Sequence, residues 1–392
     1  MRRFAVLASL LVLLAGTFVH AAAAAPAASG PAAPPQIDVA APSAVLVEAS
    51  TGQTIYAKNA QQERPPASMT KVMTLHLALK AVAAHRVRLT DPVSISENAY
   101  RLGGSQIWLE PGETIAFGQL LRAIAIGSAN DACVAIAEHL AGSEAAFVAQ
   151  MNAEAQRLGM KHTHYANSHG LDADGHYTTA ADLATLARVV VNDPGLLQLT
   201  SQREDRTIRD GKGGHLWLVN TNRLIGKVPG LDGLKTGYTS RAGYCLTATA
   251  ERQGLRLIAV AMGAPTSKQR FADISTLLQT GFSNYEAVLL AKAGQPLGSV
   301  NVLRGTATRV PVVVGSDVRA VHPRGEQLTV KLQPQLPAQL RAPIRRGQAI
   351  GEARVMAGGR QIAAVPLVAS ACVHEATWIG IFTGMLRSVV RF

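Results

Sequence analysis

Between residues 37 and 62 apolar and polar positions alternate with a period of two, most clearly in Ala44-Val45-Leu46-Val47 and Thr54-Ile55-Tyr56-Ala57, with a Ser-Thr-Gly turn at 50–52 between them. Period two sends successive side chains to opposite faces of a strand, so this segment reads as an antiparallel hairpin. The apolar spacing then changes to three and four. It predicts helices over Ser68 to about Ala83, Gln119 to Ile126, Asp131 to Leu140, about Glu144 to Leu158, and Ala180 to Val191. Strands return at Gly243–Ala250 and Leu255–Met262 around the turn Arg252-Gln253-Gly254, and a further helix is expected near Asp273–Leu290. Strands at both ends of a helical middle predict an α+β domain whose sheet is closed by segments distant in sequence. Beyond residue 293 the texture becomes short strands punctuated by Gly and Pro, such as Val310–Val314 and Leu328–Leu332, which suggests a small all-β domain.

The two ends follow other rules. Arg2 and Arg3 precede an apolar run from Phe4 to Val19, and Val19-His20-Ala21 fits a cleavage site, so residues 1–21 read as a secretory signal peptide. Residues 22–36, rich in Ala and Pro, read as a disordered leader. At 100° per residue, Trp378, Ile381, Phe382, Met385, Val389 and Phe392 fall on one face of a C-terminal helix, with Arg387 and Arg391 on the other. Such a helix lies in a membrane interface and does not span it. The expected division is therefore 37–292 for the α+β domain, 293–370 for the β domain and 371–392 for the interfacial helix.

Composition changes this picture in one respect. A chain of 392 residues, 48% apolar and 16% charged, has ample core for two domains and excludes a disordered protein. The net charge of +12 invites a nucleic-acid reading, but thirteen Lys and Arg against four acids after residue 290 place +9 of it in the last quarter. With only 5% aromatic residues and no recognition motif, nucleic acid is not an expected partner. The basic tail instead suits an anionic membrane surface. Cys133, Cys245 and Cys372 are too few and scattered for a disulfide framework, and the first two fall in apolar patterns as buried thiols. No HExxH or paired CxxC occurs, so neither metal nor other cofactor is expected.

Three short motifs carry chemistry. Ser68-Met69-Thr70-Lys71 places a hydroxyl and an amine on one helical face. A serine becomes a nucleophile when a base takes its proton, and a desolvated lysine can act as that base. Alone the pair is weak, since roughly one S-x-x-K arises by chance in such a chain. It reads equally well as a capping serine and a solvated lysine. Ser128-Ala129-Asn130 forms a polar break between two apolar helices, although Ser96-Glu97-Asn98 repeats the pattern at what reads as a simple cap. Lys235-Thr236-Gly237 lies on a strand, where lysine and hydroxyl can grip a carboxylate and Gly237 permits close backbone approach. An edge-strand lysine guarding against aggregation is the alternative there.

In this order and setting the motifs are those of penicillin-interactive serine enzymes. The chain resembles the low-molecular-mass penicillin-binding proteins, specifically the exported serine-type D-alanyl-D-alanine carboxypeptidases, from about Gln36 to the C-terminus. Ser128–Cys133 (SANDAC), Asn167–Asp172 (NSHGLD) and Lys235–Gly237 carry the resemblance. It implies a β-lactamase-like α+β fold followed by the β domain and the amphipathic helix. It also implies that Ser68 attacks the penultimate D-Ala carbonyl with Lys71 as base, that Ser128 relays a proton to the departing D-Ala, and that Asn130 holds the substrate amide. Lys235, Thr236 and Gly237 would meet the terminal carboxylate, Ser68 and Tyr238 would supply backbone N–H groups to an oxyanion hole, and Arg270 would be a further carboxylate ligand. His169 reads as a structural hydrogen-bonder. The implied partners are peptidoglycan stem peptides, β-lactam antibiotics and the anionic outer face of the cytoplasmic membrane.

Two rivals remain. A β-lactamase on the same fold would need a glutamate to drive deacylation, and residues 167–174 contain none. A non-catalytic wall-binding scaffold would have no use for a paired nucleophile and base.

Overall fold

A computed structural model describes residues 37–209, 214–325 and 329–376. The signal-peptide and leader assignments, and the C-terminal helix from residue 377, lie outside the described residues. Strands β1 (Ser43–Glu48) and β2 (Thr54–Lys58) form the expected hairpin. After them come helices α1 (Lys71–Ala83), α2 (Asn130–Ala141), α3 (Glu144–Arg157) and α4 (Ala180–Val190). Strands β3 (Leu231–Thr239), β4 (Gly243–Arg252) and β5 (Leu255–Ala264) then complete one five-stranded sheet of order β2-β1-β5-β4-β3. Antiparallel pairing of Ser43–Glu48 with Leu257–Met262 joins chain segments more than 200 residues apart, so the sheet is closed by distant strands.

The pleat divides the core in two. Val45 and Val47 of β1 face the helices with Met69, Met73, Ile258 and Val260, whereas Ala44 and Leu46 face the opposite side with Leu257 and Ala259. That second side is covered by α5 (Ser267–Asn284), which buries Ile274, Leu277 and Leu278 completely. Each such leucine or isoleucine contributes about 1.5–3 kcal/mol. Gly281 of α5 makes the contact close: a Cβ there would stand 2.5 Å from Leu257 Cδ1.

Two expectations are corrected. The helix over Asp273–Leu290 starts earlier and ends at Asn284. Residues Tyr285–Ala291 are strand β6, because they pair antiparallel with β9 (Val318–Pro323, numbered after β7, Pro296–Leu303, and β8, Arg309–Val314). The helix expected over Gln119–Ile126 is regular only in Phe117–Arg122 and widens into a π-turn at Ala123–Gly127, which delivers Ser128 in the left-handed region (φ 64°).

The C-terminal part is a six-stranded sheet. Adding β10 (Val330–Gln335), β11 (Gln339–Arg341), β12 (Ala349–Ala357) and β13 (Arg360–Ala369), its order is β10-β12-β13-β8-β7-β11. It encloses its own core around Val310, Val312, Val355 and Leu367. The β6–β9 pair connects the two halves: Val321 of β9 belongs to the core beneath α5, and Tyr285 and Ala287 pack against it.

Candidate active site

The chain enters α1 through Pro65-Pro66 and one 3₁₀ turn, Ala67–Thr70, so Ser68 sits in that turn and not within the long helix. In a 3₁₀ turn side chains three apart eclipse, which aligns Ser68 with Lys71. Lys71 Nζ lies 2.8 Å from Ser68 Oγ and 2.7 Å from Asn130 Oδ1, and it also donates to the His169 carbonyl oxygen. Ser68 is half-buried, whereas Lys71 is wholly buried. Burial lowers the Lys71 ammonium to about 8, against the opposing pull of Cys133 and Asp131.

Two glycines make room for this turn. A Cβ on Gly170 would lie 2.0 Å from Ala67 O, and Gly170 has φ +94°, so no other residue fits. On the other side a Cβ on Gly237 of β3 would lie 3.0–3.1 Å from Pro66 O, Ala67 Cβ and Ser68 N. The Ser68 amide is thereby set against the strand whose next amide is that of Tyr238.

Asn130 opens α2 and is buried. Its backbone N–H donates to Ser105 O (2.7 Å) and its side-chain Nδ2 to Gly103 O (2.8 Å). The neighbouring Asp131 holds the continuation of that loop: its carboxylate accepts the amides of Ile107 (3.0 Å), Leu109 (3.3 Å) and Ala132 (2.9 Å). Burial raises the Asp131 pKa, and these backbone donors oppose the shift. Ala129 is fully buried in the helical core. By contrast Ser96 caps a four-residue helix through Ala99 N, the simple role its sequence suggested.

Lys235 lies on β3 at the end of the sheet, buried to 1% exposure. It is therefore no solvated guard on an edge strand. Its Nζ donates to Thr236 O (3.1 Å), and its pKa is pushed well below the usual lysine value by burial and then by Lys71. Thr236 Oγ1 donates to Thr221 Oγ1 (2.7 Å). Tyr238 is exposed, its ring 4.4 Å from that of Tyr244. Arg270 reaches the same strand from α5, but Nη1 donates to the carbonyls of Gly237 (3.2 Å) and Cys245 (3.4 Å), and Nη2 to Ser267 Oγ (3.2 Å). Nη1 thus braces the sheet and Nη2 its own helix, while the buried Nε has no partner, so the expected carboxylate-ligand role of Arg270 stays a proposal for the substrate-bound enzyme. Among the described residues Lys71, Lys235 and Arg270 form no ion pair, and burial favours the neutral form of both lysines.

The Asn167–Asp172 loop closes the far side. Asn167 Oδ1 accepts the Gly170 amide (2.6 Å), and Glu144 Oε1 accepts the amide (2.9 Å) and hydroxyl (2.6 Å) of Ser168. His169 Nδ1 accepts the Leu171 amide, and His176 bridges Ala166 N and Thr70 Oγ1. Asp172 accepts the Thr239 hydroxyl (2.8 Å), and Asp174 is exposed beside Arg241. Glu144, Asp131, His176 and the Gly103–Ser105 backbone were not singled out from sequence as parts of the site. The doubled glycine at 103–104 was the available signal for the loop.

Comparison with known proteins agrees with this arrangement. Residues 28–266 match the D-alanyl-D-alanine carboxypeptidase family, and residues 285–375 match the C-terminal domain of penicillin-binding protein 5. The chain is 40% identical to D-alanyl-D-alanine carboxypeptidase DacF of Bacillus subtilis over 338 residues, covering 86% of this chain and 87% of the relative. It is 36% identical to DacA of Escherichia coli over 357 residues, 88% and 86% of the two chains. Among solved structures, penicillin-binding protein 5 of Haemophilus influenzae superimposes with TM-score 0.70 at 33% identity, covering 88% of this chain and 99% of that one. Penicillin-binding protein D2 of Listeria monocytogenes, in its ampicillin-bound form, gives TM-score 0.57 at 34% identity over 63% of this chain and all of that one.

Proposed function

The chain belongs to the D-alanyl-D-alanine carboxypeptidases, serine hydrolases that act on peptidoglycan, and from that premise we propose how its own residues divide the reaction. The observation that carries the assignment is the buried Lys71 amine, 2.8 Å from Ser68 Oγ and 2.7 Å from Asn130 Oδ1. As an ammonium it has three N–H groups and three acceptors. As a neutral amine it keeps the donors to Asn130 and His169 and turns its lone pair to the Ser68 hydroxyl.

Ser68 Oγ attacks the carbonyl of the penultimate D-Ala as Lys71 takes its proton. The oxygen of the tetrahedral intermediate lies against the amides of Ser68 and Tyr238. Ser128 passes a proton to the departing nitrogen, the C–N bond breaks, and D-Ala leaves. Water then adds to the Ser68 ester, and its collapse restores the serine hydroxyl and releases the shortened peptide. Asn130 orients the substrate amide. Lys235 and Thr236 hold the terminal carboxylate, Gly237 admits its close approach, and Arg270 adds positive charge behind them. The shortened stem peptide can no longer donate in cross-linking, so the activity limits cross-linking.

β-Lactams acylate the same serine. Glu144 at the start of α3 is tied to Ser168, and Asp172 of the loop to Thr239, so neither carboxylate is free to activate water against the ester. The reading therefore favours a long-lived penicilloyl enzyme over a β-lactamase. Mass spectrometry of penicillin-labelled enzyme should place the adduct on the Ser68 peptide, with D-Ala release abolished in Ser68→Ala. Stoichiometric label that decays within seconds would instead identify a β-lactamase.

The signal-like residues 1–21, the leader 22–36 and the amphipathic pattern of 376–392 support an exported enzyme held at the periplasmic face of the cytoplasmic membrane by its C-terminal segment. Deleting 374–392 should release it from membranes with activity intact.

A further inference from the structure

The end of the β domain at which the described chain stops is built from three segments held together by backbone hydrogen bonds. Leu303 pairs with Arg341 in parallel register, Ala342 N donates to Leu303 O (3.0 Å), and Ile344 bridges Val373. Thr306 N donates to His374 O (2.9 Å), Ala376 N to Arg304 O (2.8 Å), and Arg346 N to Cys372 Sγ (3.4 Å). Residues 303–306, 341–346 and 372–376 therefore form one surface.

Arg304, Arg341, Arg345 and Arg346 are all exposed on it. Three other arginines of this domain do have acids beside them: Arg319 with Asp317 (3.3 Å), Arg324 with Glu286 (3.6 Å) and Arg354 with Glu352 (3.7 Å). Among the described residues these four have no ion pair. Glu375, opposite Gly305, is the one carboxylate in the three segments. Leu303, 48% exposed, lies between the arginines in the fold, paired with Arg341 and followed by Arg304. Four guanidinium groups held close without counter-ions repel one another, and a polyanionic surface relieves that repulsion.

We propose that this end of the β domain is itself a phospholipid-docking surface, with Arg304, Arg341, Arg345 and Arg346 seated on anionic headgroups and Leu303 against the interface. The occupant is argued from where the chain goes next. Sixteen more residues follow Ala376, among them Trp378, Ile381, Phe382 and Met385 with Arg387 and Arg391, a composition that partitions into a lipid interface. Ala376, from which that tail departs, donates its N–H to Arg304 O, so the tail starts beside the arginines. The proposal rests on the membrane attachment inferred above and adds a second, folded contact to it. Two signals together turn marginal, reversible association into stable anchoring.

The test is co-sedimentation of the intact exported chain with vesicles of phosphatidylcholine alone or mixed with phosphatidylglycerol. Each basic residue near an anionic surface strengthens association roughly fivefold. Arg304→Gln, Arg341→Gln, Arg345→Gln and Arg346→Gln together should weaken binding to phosphatidylglycerol vesicles by at least about a hundredfold, with binding to pure phosphatidylcholine unchanged. The pair Arg345→Gln and Arg346→Gln, confined to an exposed turn, should give about a tenfold to thirtyfold loss if the quadruple variant folds poorly. Penicillin acylation at the parent rate confirms the fold in each. Unchanged affinity for phosphatidylglycerol vesicles overturns the proposal, as does an equal loss on both vesicle types. Loss of retention on purified anionic wall polymer with vesicle binding intact overturns it in favour of that polymer. Trp378→Ser with Phe382→Ser tests the tail separately: binding to pure phosphatidylcholine that survives it refutes the anchoring helix and leaves the arginine surface to be judged on its own arm.

Discussion

The amide nitrogen of Ser68 lies 3.1 Å from the position a Cβ on Gly237 would occupy. The nucleophile's backbone is thus packed on the strand that carries Lys235 and Thr236, and the two halves of the site share one van der Waals contact. A methyl group at that point would also stand 3.0 Å from Pro66 O and from Ala67 Cβ. Either the serine turn or the strand must then move by a few tenths of an ångström.

Gly237→Ala should therefore lower penicillin acylation about a hundredfold while the protein still folds, since small misplacements of reacting groups carry penalties of that order. Gly170→Ala should be worse, because its Cβ would sit 2.0 Å from Ala67 O at a φ of +94°. Stopped-flow acylation together with thermal melts separates the two. A Gly237→Ala enzyme acylating at the parent rate would show that the contact does not position Ser68.

Lys71 sets the pH response of acylation. Its competent form is the neutral amine, and burial brings its pKa to about 8. The rate should rise about tenfold per pH unit below that value and level off above it. Lys71→Arg, whose side chain stays protonated, should cost about 10²–10⁴-fold and remove the rise. A flat profile between pH 6 and 9 in the parent enzyme would sink the assignment of Lys71 as base.

Lys235 predicts proton uptake. Burial and Lys71 disfavour its charged form in the empty cleft, and a substrate carboxylate reverses that preference. Binding of a D-Ala-D-Ala peptide to Ser68→Ala enzyme at alkaline pH should then draw protons from solution, whereas the C-terminal amide of the same peptide should not. Calorimetry in buffers of different ionisation enthalpy measures this, and an enthalpy independent of buffer would refute it.

The loop histidines predict acid sensitivity. His176 Nδ1 accepts the Ala166 amide and His169 Nδ1 the Leu171 amide, so protonation would set N–H against N–H. Burial lowers His169 to about 3 and His176 to about 4, and it lowers His76 as well. With folded values below the unfolded 6.5, these groups leave stability intact above pH 6.5 and remove it as pH falls toward 4 and below. A loss of roughly 2 kcal/mol for each of His169 and His176 by pH 5 is expected, before most carboxylates titrate. His176→Gln should recover part of it; identical melting temperatures at pH 7 and 5 in the parent would contradict the neutral tautomers.

Much of this was legible beforehand, for physical reasons that can be named. The S-x-x-K and K-T-G spacings are local, and the strand and helix patterns around them have clear periods. The rest depended on contacts between segments. An aspartate after Asn130 reads as an ordinary first-turn acid; only the folded chain shows it holding Ile107 and Leu109. Gly170 and Ala67 touch across about a hundred residues, and no periodicity announces that. The run Tyr285–Leu290 follows a helix and is apolar enough to continue it, until pairing with Val318–Pro323 makes it a strand. The cluster Arg304, Arg341, Arg345 and Arg346 was visible as charge but not as a surface, since its members come from three separate segments.

The passage from α5 to β6 has no residue to spare: Asn284 ends the helix and Tyr285 begins the strand. Val321, paired across from Ala287, is embedded beneath that same helix. The outer domain therefore joins the catalytic domain without a linker and shares part of its core. If the proposed membrane attachment holds, the separation between Ser68 and the outer domain's far end would set the height above the lipid at which Ser68 meets its stem peptides.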